Sequence, residues 1–442
     1  MQDGSAGGKS SFYKRYAGRI QALQHFVLTG SFMKWVLYGA LIGILTGSAS
    51  ALFLAALDYA TEERISQPWL LFLLPFGGAL VSYAYLRLGG SSAKGNNLIL
   101  EQVNNGQERI PLRMAPLVLA GTVITHLLGG SAGREGTAVQ MGGSMAEWLG
   151  KRLKVNRTDR AILLMCGISG GFGSVFGTPL AGAVFGMEVA VIGMLRYEAL
   201  LPCFAASFVG DLVTKAWGIH HVQYAMSGVP GISWLVIVKV LAASVLFGLT
   251  SLLFSELTHA CKRLFTRLFP HAALKSFIGG LIIIALVYAA GTRDYLGLGI
   301  PLLVQSFTEP VHSLAFLWKT LFTSLTLGAG FQGGEVTPLF VIGAALGNAL
   351  GSLLHISLPF MAGLGLVAVF SGATNTPIAC FILGIELFGS DAMIYIFLAS
   401  IVGYLFSGHS GIYTSQRIGA GKPGMRGSDP DATLAAYRRR VK

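Results

Sequence analysis

Charge is scarce in this chain: only 12% of its 442 residues are Asp, Glu, Lys or Arg, against roughly 25% in an ordinary soluble domain. With 53% hydrophobic residues, the solvent for most of this chain is expected to be lipid. Cysteine is rarer still. Cys166, Cys203, Cys261 and Cys380 are scattered singly, which excludes a disulfide framework and metal-ligand spacing. His126 and His409 stand isolated, so neither a metal centre nor another cofactor is expected. A membrane-embedded enzyme would need a nucleophile, a metal set or paired catalytic carboxylates, and no convincing candidate occurs. Residues Met1 to Ser10 lack an early apolar core and a small-residue cleavage site, so no secretory signal peptide is expected. The net charge of +12 does not imply nucleic acid, because the basic residues sit in short connections and tails, as the positive-inside rule expects.

Long apolar runs are abundant. Trp35 to Tyr59, Pro68 to Leu86, Ala199 to Trp217, Ile232 to Phe254, Phe277 to Ala290 and Ala392 to Leu405 are read as membrane helices, which need about 20 apolar residues to cross a bilayer core. Glycine is abundant too, at 59 residues. Clusters such as Gly129, Gly130 and Gly133, or Gly330, Gly333 and Gly334, imply broken helices, because irregular backbone at membrane depth survives only beside protein or a polar cavity.

The chain repeats itself. Gly177 to Val189, GTPLAGAVFGMEV, matches Asn375 to Leu387, NTPIACFILGIEL, pairing Pro179 with Pro377, Gly186 with Gly384 and Glu188 with Glu386. Upstream, Gly133 to Gly150 aligns without gaps on Gly334 to Gly351. Two matches in one order indicate duplication. After Gly150 the connection KRLKVNRTDR carries five basic residues, whereas SLLHISLP after Gly351 carries none. Equivalent loops on opposite sides of the membrane show that asymmetry, so the repeat is read as inverted, an architecture of transporters and channels.

Charged residues at membrane depth are functional candidates. Glu135, in GGSAGREGTAVQM, opens a helix whose free amides favour negative charge, so a carboxylate can occupy an anion site and leave when protonated. The alternative is a helix cap or a pair with Arg134. Glu335, in GAGFQGGEVTPLF, occupies the equivalent turn one position before the match to Glu135, and a cap is again the alternative. Glu188 and Glu386 match each other and are read as structural. In KGNNLIL, Asn96 and Asn97 start a helix whose first amides point at something. Tyr413, in SGHSGIYTSQ, follows the last apolar segment; a lone tyrosine there is more often an interface anchor.

GREG followed by Thr, GFGSVFGTPLAG, GGEVTP and the late GIYTSQ, in this order, resemble the CLC family of anion channels and anion/proton antiporters over roughly Lys34 to Gln416. The resemblance implies an all-α inverted repeat of tilted, broken transmembrane helices. It makes Glu135 the external gating glutamate and Tyr413 the central tyrosine. Lys94 stands in the inner filter, Gly95, Asn96 and Asn97 form its loop, and Val336 and Thr337 supply outer amides. It also implies a homodimer with one pore per subunit, meeting through Leu180 to Met194, Ala199 to Val213 and the helices between Thr376 and Leu405.

Lys94 in place of the chloride branch's serine, and Val189 in place of its internal proton glutamate, are similar to the bacterial fluoride/proton antiporter branch. That branch often has methionine where Lys94 stands. The lysine either raises the local anion concentration or snorkels into the inner vestibule. Glu335 is expected to complete the inner proton route. The expected organisation is a cytoplasmic segment 1–33, repeats at 34–220 and 221–416, and a basic cytoplasmic tail 417–442 too short for a regulatory domain. The expected function is fluoride export in exchange for protons across a bacterial inner membrane, with both termini cytoplasmic. A chloride/proton antiporter or passive anion channel of the same fold is the alternative.

Overall fold

The structure is a computed structural model. It describes residues 6–104, 106–222, 224–423 and 432–441, with side chains from residue 28 to 440. The side chains of Lys9, Lys14, Arg15 and Arg19, and residue Arg426, lie outside the described set. Helices dominate. The first half holds α1 (Ala6–Ser66), α2 (Leu74–Ala84), α3 (Asn96–Val103), α4 (Met114–Leu127), α5 (Glu135–Arg152), α6 (Arg157–Phe176), α7 (Pro179–Glu188) and α8 (Leu200–Ala216). The second holds α9 (Trp234–Leu268), α10 (Ala272–Ala290), α11 (Ile300–Gln305), α12 (Ala315–Gly328), α13 (Val336–Leu354), α14 (Leu358–Thr374), α15 (Pro377–Phe388) and α16 (Met393–Phe406). After α16 come a two-residue strand, Arg417–Ile418, paired in parallel with Val191–Ile192, and α17 (Leu434–Val441).

Helices α4 to α8 correspond in order to α12 to α16, and local chemistry repeats with them. Proline, pre-set for a first turn, opens both α7 and α15. Both preceding helices end in a left-handed residue, Gly177 (φ +72°) and Asn375 (φ +58°), a conformation that glycine and asparagine tolerate best. Crossing points repeat as well. A Cβ on Gly142 would lie 2.1 Å from the carbonyl oxygen of Gly167, and one on Gly343 would lie 2.2 Å from that of Gly365. Glycine is therefore required where α5 crosses α6 and where α13 crosses α14, the small-residue contact that suits helices in lipid. At the centre, Gly133 and Gly334 exchange two backbone hydrogen bonds of 2.6 and 2.7 Å in antiparallel fashion. The two glycine-rich turns thus meet head to tail, as an inverted repeat requires.

Among the described residues six helices are long and apolar enough to cross a membrane. The window Ala392 to Leu405 is not one of them. Its helix, α16, has 14 residues, about 21 Å, short of the roughly 30 Å core. After α16 the chain enters a buried turn, which holds Tyr413 in the interior at 4% exposure. Conversely, α13 is long and apolar enough to cross and largely buried, although no crossing was assigned to it from the sequence, because glycine and alanine dilute its apolar signal. Large apolar side chains such as Leu80, Leu212, Leu246 and Phe397 are exposed on the perimeter, whereas His126, Glu135, Lys319 and Asn348 are fully buried.

Candidate functional site

Helices α3, α5 and α13 all start near the middle of the molecule, so their unpaired first-turn amides converge there. Glu135, the first residue of α5, is fully buried. Its carboxylate reaches across the repeat boundary: the Thr337 amide donates to Oε2 at 3.0 Å, and the Thr337 hydroxyl donates to Oε1. The Arg134 amide adds a bond of 3.2 Å, and the Arg134 guanidinium lies 3.5 Å away. A negative group therefore sits on the N-terminus of α13, where dipole and free amides attract any anion. Val336, the first residue of α13, is buried beside it without a bond to the carboxylate.

A cavity of about 450 Å³ approaches this point from the face that carries Lys94, Lys262 and Lys275. Gly95, Asn96, Asn97, Glu335 and Tyr413 all line it, so the structure gathers these residues, singled out in the sequence, around one space. Glu335 is half-buried and makes no hydrogen bond or ion pair among the described residues. Lys262 is the opposing charge it senses. The side-chain oxygen of Asn97 accepts from the Ser415 amide at 3.0 Å and the Thr414 hydroxyl at 3.3 Å. That contact locks the turn carrying Tyr413 onto the start of α3.

Lys94 is engaged elsewhere. Its ammonium lies 2.5 Å from Glu108 and 3.3 Å from Glu101, so its charge is spent on two carboxylates at the cavity rim. At the place of Val189, Gln416 donates to the Val189 carbonyl at 2.8 Å and to that of Thr374 at 2.7 Å. A neutral lattice of amides closes that region.

A family model described as "Voltage gated chloride channel" matches residues 77–408. The chain belongs to the CLC family. A "Chloride/fluoride channel protein" of Pseudomonas syringae pv. tomato is 49% identical over 395 residues, 88% of this chain and 87% of that protein. An "H(+)/Cl(-) exchange transporter ClcA" of Vibrio vulnificus is 26% identical over 406 residues, covering 83% and 85%. Among solved structures, "a CLC-type fluoride/proton antiporter" superposes with a TM-score of 0.84 at 34% identity, over 87% of this chain and 98% of that one. A "slow cyanobacterial Cl-/H+ antiporter" superposes at 0.74 with 21% identity, over 84% and 94%, and shows the shared fold. The protein is thus a multi-pass membrane anion transporter of the CLC family, a family of transporters and channels rather than enzymes.

The two matched glutamates behave differently from Glu135 and Glu335. Glu188 accepts from the amides of Ile378 and Ala379 at 3.1 and 2.8 Å, and Glu386 accepts from those of Leu180 and Ala181 at 2.8 and 2.7 Å. Each carboxylate caps the opposite repeat's proline-led helix, a reciprocal exchange consistent with structural work. Sequence reasoning missed Gln140, which also lines the CLC cavity. A polar residue inside an otherwise small and apolar stretch, TAVQMGG, was the available signal.

Proposed function

We propose that this CLC-family protein exports fluoride in exchange for protons. The observation carrying this reading is the Glu135 carboxylate seated on the Thr337 amide and hydroxyl, a place an anion would take. Glu135 and the transported anion then compete. Protonation removes the negative charge that holds Glu135 on the amides, so a protonated side chain yields its position to an anion. The same group thereby counts protons in one direction and anions in the other. Glu335, opening to the inner cavity, takes up and releases the proton on the cytoplasmic side. The amides of Val336 and Thr337 and the hydroxyls of Thr337 and Tyr413 replace fluoride's tightly held water, with the Asn96 side chain added from α3.

Fluoride is favoured over chloride by two names and one contact. The 49% identical relative carries fluoride in its name, and the structure at 34% identity is titled a fluoride/proton antiporter. The ion pairs of Lys94 with Glu108 and Glu101 keep the lysine from binding the anion too tightly, so it substitutes for a neutral residue at that position. Lys262 and Lys275 supply the positive potential that draws anions to the inner mouth.

In this reading the repeats divide near residue 220, both termini are cytoplasmic, and the protein resides in a bacterial inner membrane. Two copies associate through exposed apolar residues, including Leu180, Leu200, Phe204, Phe208 and Leu212, together with Met393 and Phe397. The second reading, chloride/proton exchange or a passive channel, draws on the words "chloride" and "channel" in the relative's name. Liposomes loaded with fluoride or chloride, with an ion-selective electrode and an internal pH dye, separate the three. Fluoride efflux that acidifies the lumen and exceeds chloride efflux supports the proposal. Efflux without proton movement supports the channel.

A further inference from the structure

Gln140 lies about one and a half turns beyond Glu135 on α5, and nothing in the scheme above uses it. Its side chain is 5% exposed, and its amide oxygen is sealed from solvent and accepts no hydrogen bond. The amide makes no hydrogen bond to any described residue, and it lines the cavity shared by Gly95, Asn96, Tyr413 and Glu335. A buried primary amide is normally paired. Because the oxygen is the sealed atom, the group left free toward the cavity is the Nε2 donor, and an unpaired donor in that wall points to an anionic ligand.

Asn96 repeats the arrangement. Its side-chain oxygen is also buried and unpartnered, and its amide nitrogen lies over Gly136, where a Cβ would come within 2.8 Å. The Gln140 amide lies over Gly95 in turn, where a Cβ would stand 3.5 Å from Nε2. Gly95 holds φ +59° and ψ −137°, a conformation open essentially to glycine. Each amide therefore rests on a glycine at the start of the other's helix. The start of α3 and the second turn of α5 thus set two amides in the wall of the cavity that Tyr413 also lines.

We propose that Gln140 is an anion ligand that sets specificity, its Nε2 donating to the transported ion together with Asn96 and the Tyr413 hydroxyl. The specificity it confers rests on the fluoride reading. Fluoride is small and strongly hydrated, so backbone amides fixed at helix starts leave part of its shell unreplaced. A primary amide on a stem of two methylenes closes onto a small ion where fixed amides cannot. Chloride, larger and less strongly hydrated, gains little from that extra donor.

The test uses full-length protein and two variants of similar length. Gln140→Met removes both N–H donors, and Gln140→Glu replaces them with acceptor oxygens at neutral pH. Fluoride and chloride binding are measured by calorimetry, with thermal stability and elution volume recorded alongside. Loss of a charge-assisted donor predicts about tenfold or weaker fluoride binding in both variants. Chloride binding changes less than about threefold, and stability is unaltered. Wild-type fluoride affinity in Gln140→Met overturns the proposal. So does a parallel loss of both anions accompanied by lowered stability, which would make Gln140 a packing residue. If the wild type itself prefers chloride, the fluoride reading fails separately. The Gln140 assignment then stands if stable Gln140→Met binds chloride about tenfold more weakly, and falls if chloride binding is unchanged.

Discussion

The two halves share a scaffold and differ in where they place their acids. At the first turns of α7 and α15 the halves are interchangeable: Glu188 and Glu386 occupy matched positions and each caps the other half's helix. At the first turns of α5 and α13 they are not. The first half puts arginine at the cap and glutamate at the first helical position, whereas the second puts glutamate at the cap and valine next. Symmetric acids spend both oxygens on backbone amides. The off-register pair is divided between a buried carboxylate lodged on the opposite helix and a half-buried one facing a cavity. Duplication thus supplies a symmetric frame, and the one-residue offset gives the two acids different surroundings, one on the opposite helix and one at the cavity.

That contrast breaks most completely at Glu135. Replacing it with Gln or Ala leaves no titratable group on the Thr337 amide and hydroxyl, and fluoride-driven proton movement in liposomes is expected to fall to background. Wild-type coupling in either variant would remove Glu135 from the mechanism. Glu335→Gln is expected to halt coupled exchange while fluoride still binds, because the Thr337 and Tyr413 donors remain. Binding by calorimetry together with flux checks this, and near-normal exchange would reduce Glu335 to a helix cap.

The symmetric pair sharpens the comparison from the other side. Glu188→Gln and Glu386→Gln each weaken charge-assisted caps, with an expected loss of about 1.5–3 kcal/mol of stability. Thermal unfolding of the two should shift in parallel, and the protein that remains folded should exchange with a normal fluoride-to-proton ratio. The smallest effect belongs to Lys94→Met. Lys94 is 46% exposed and pairs at the rim, where such bridges are worth about 0–1 kcal/mol. Stability and fluoride selectivity should stay close to wild type, and a large selectivity change would return Lys94 to the anion site.

Much of this was legible before any coordinates. The matched motifs around Pro179 and Pro377, the basic loop after Gly150 and the glycine turns implied an inverted repeat, because repeated backbone geometry imposes repeated residue types. Glu135 and Glu335 were legible as candidates because charged groups inside apolar sequence are expensive, whereas Tyr413 was legible only through the resemblance of GIYTSQ to the CLC motif. What stayed hidden depends on contacts between distant segments. Lys94 is neutralised by Glu101 and Glu108, and no local pattern states that a rim loop folds back onto it. Asn97 and Asn96 are neighbours in an identical pair, yet one anchors Ser415 and the other lies over Gly136. The docked tail was also unreadable: Lys422 donates to the carbonyls of Tyr404 and Gly408 at 2.6 Å, closing the end of α16 from a segment that composition alone presents as a basic tail.

The central claim is that a carboxylate and fluoride exchange places at one site, with protons moving against the anion. The most direct measurement is simultaneous fluoride efflux and lumenal pH in liposomes, repeated with chloride at a matched gradient. Fluoride release exceeding chloride release, with lumenal acidification that disappears in Glu135→Gln, is the predicted result. Chloride release exceeding fluoride release, or fluoride release with an unchanged lumenal pH, would contradict the account.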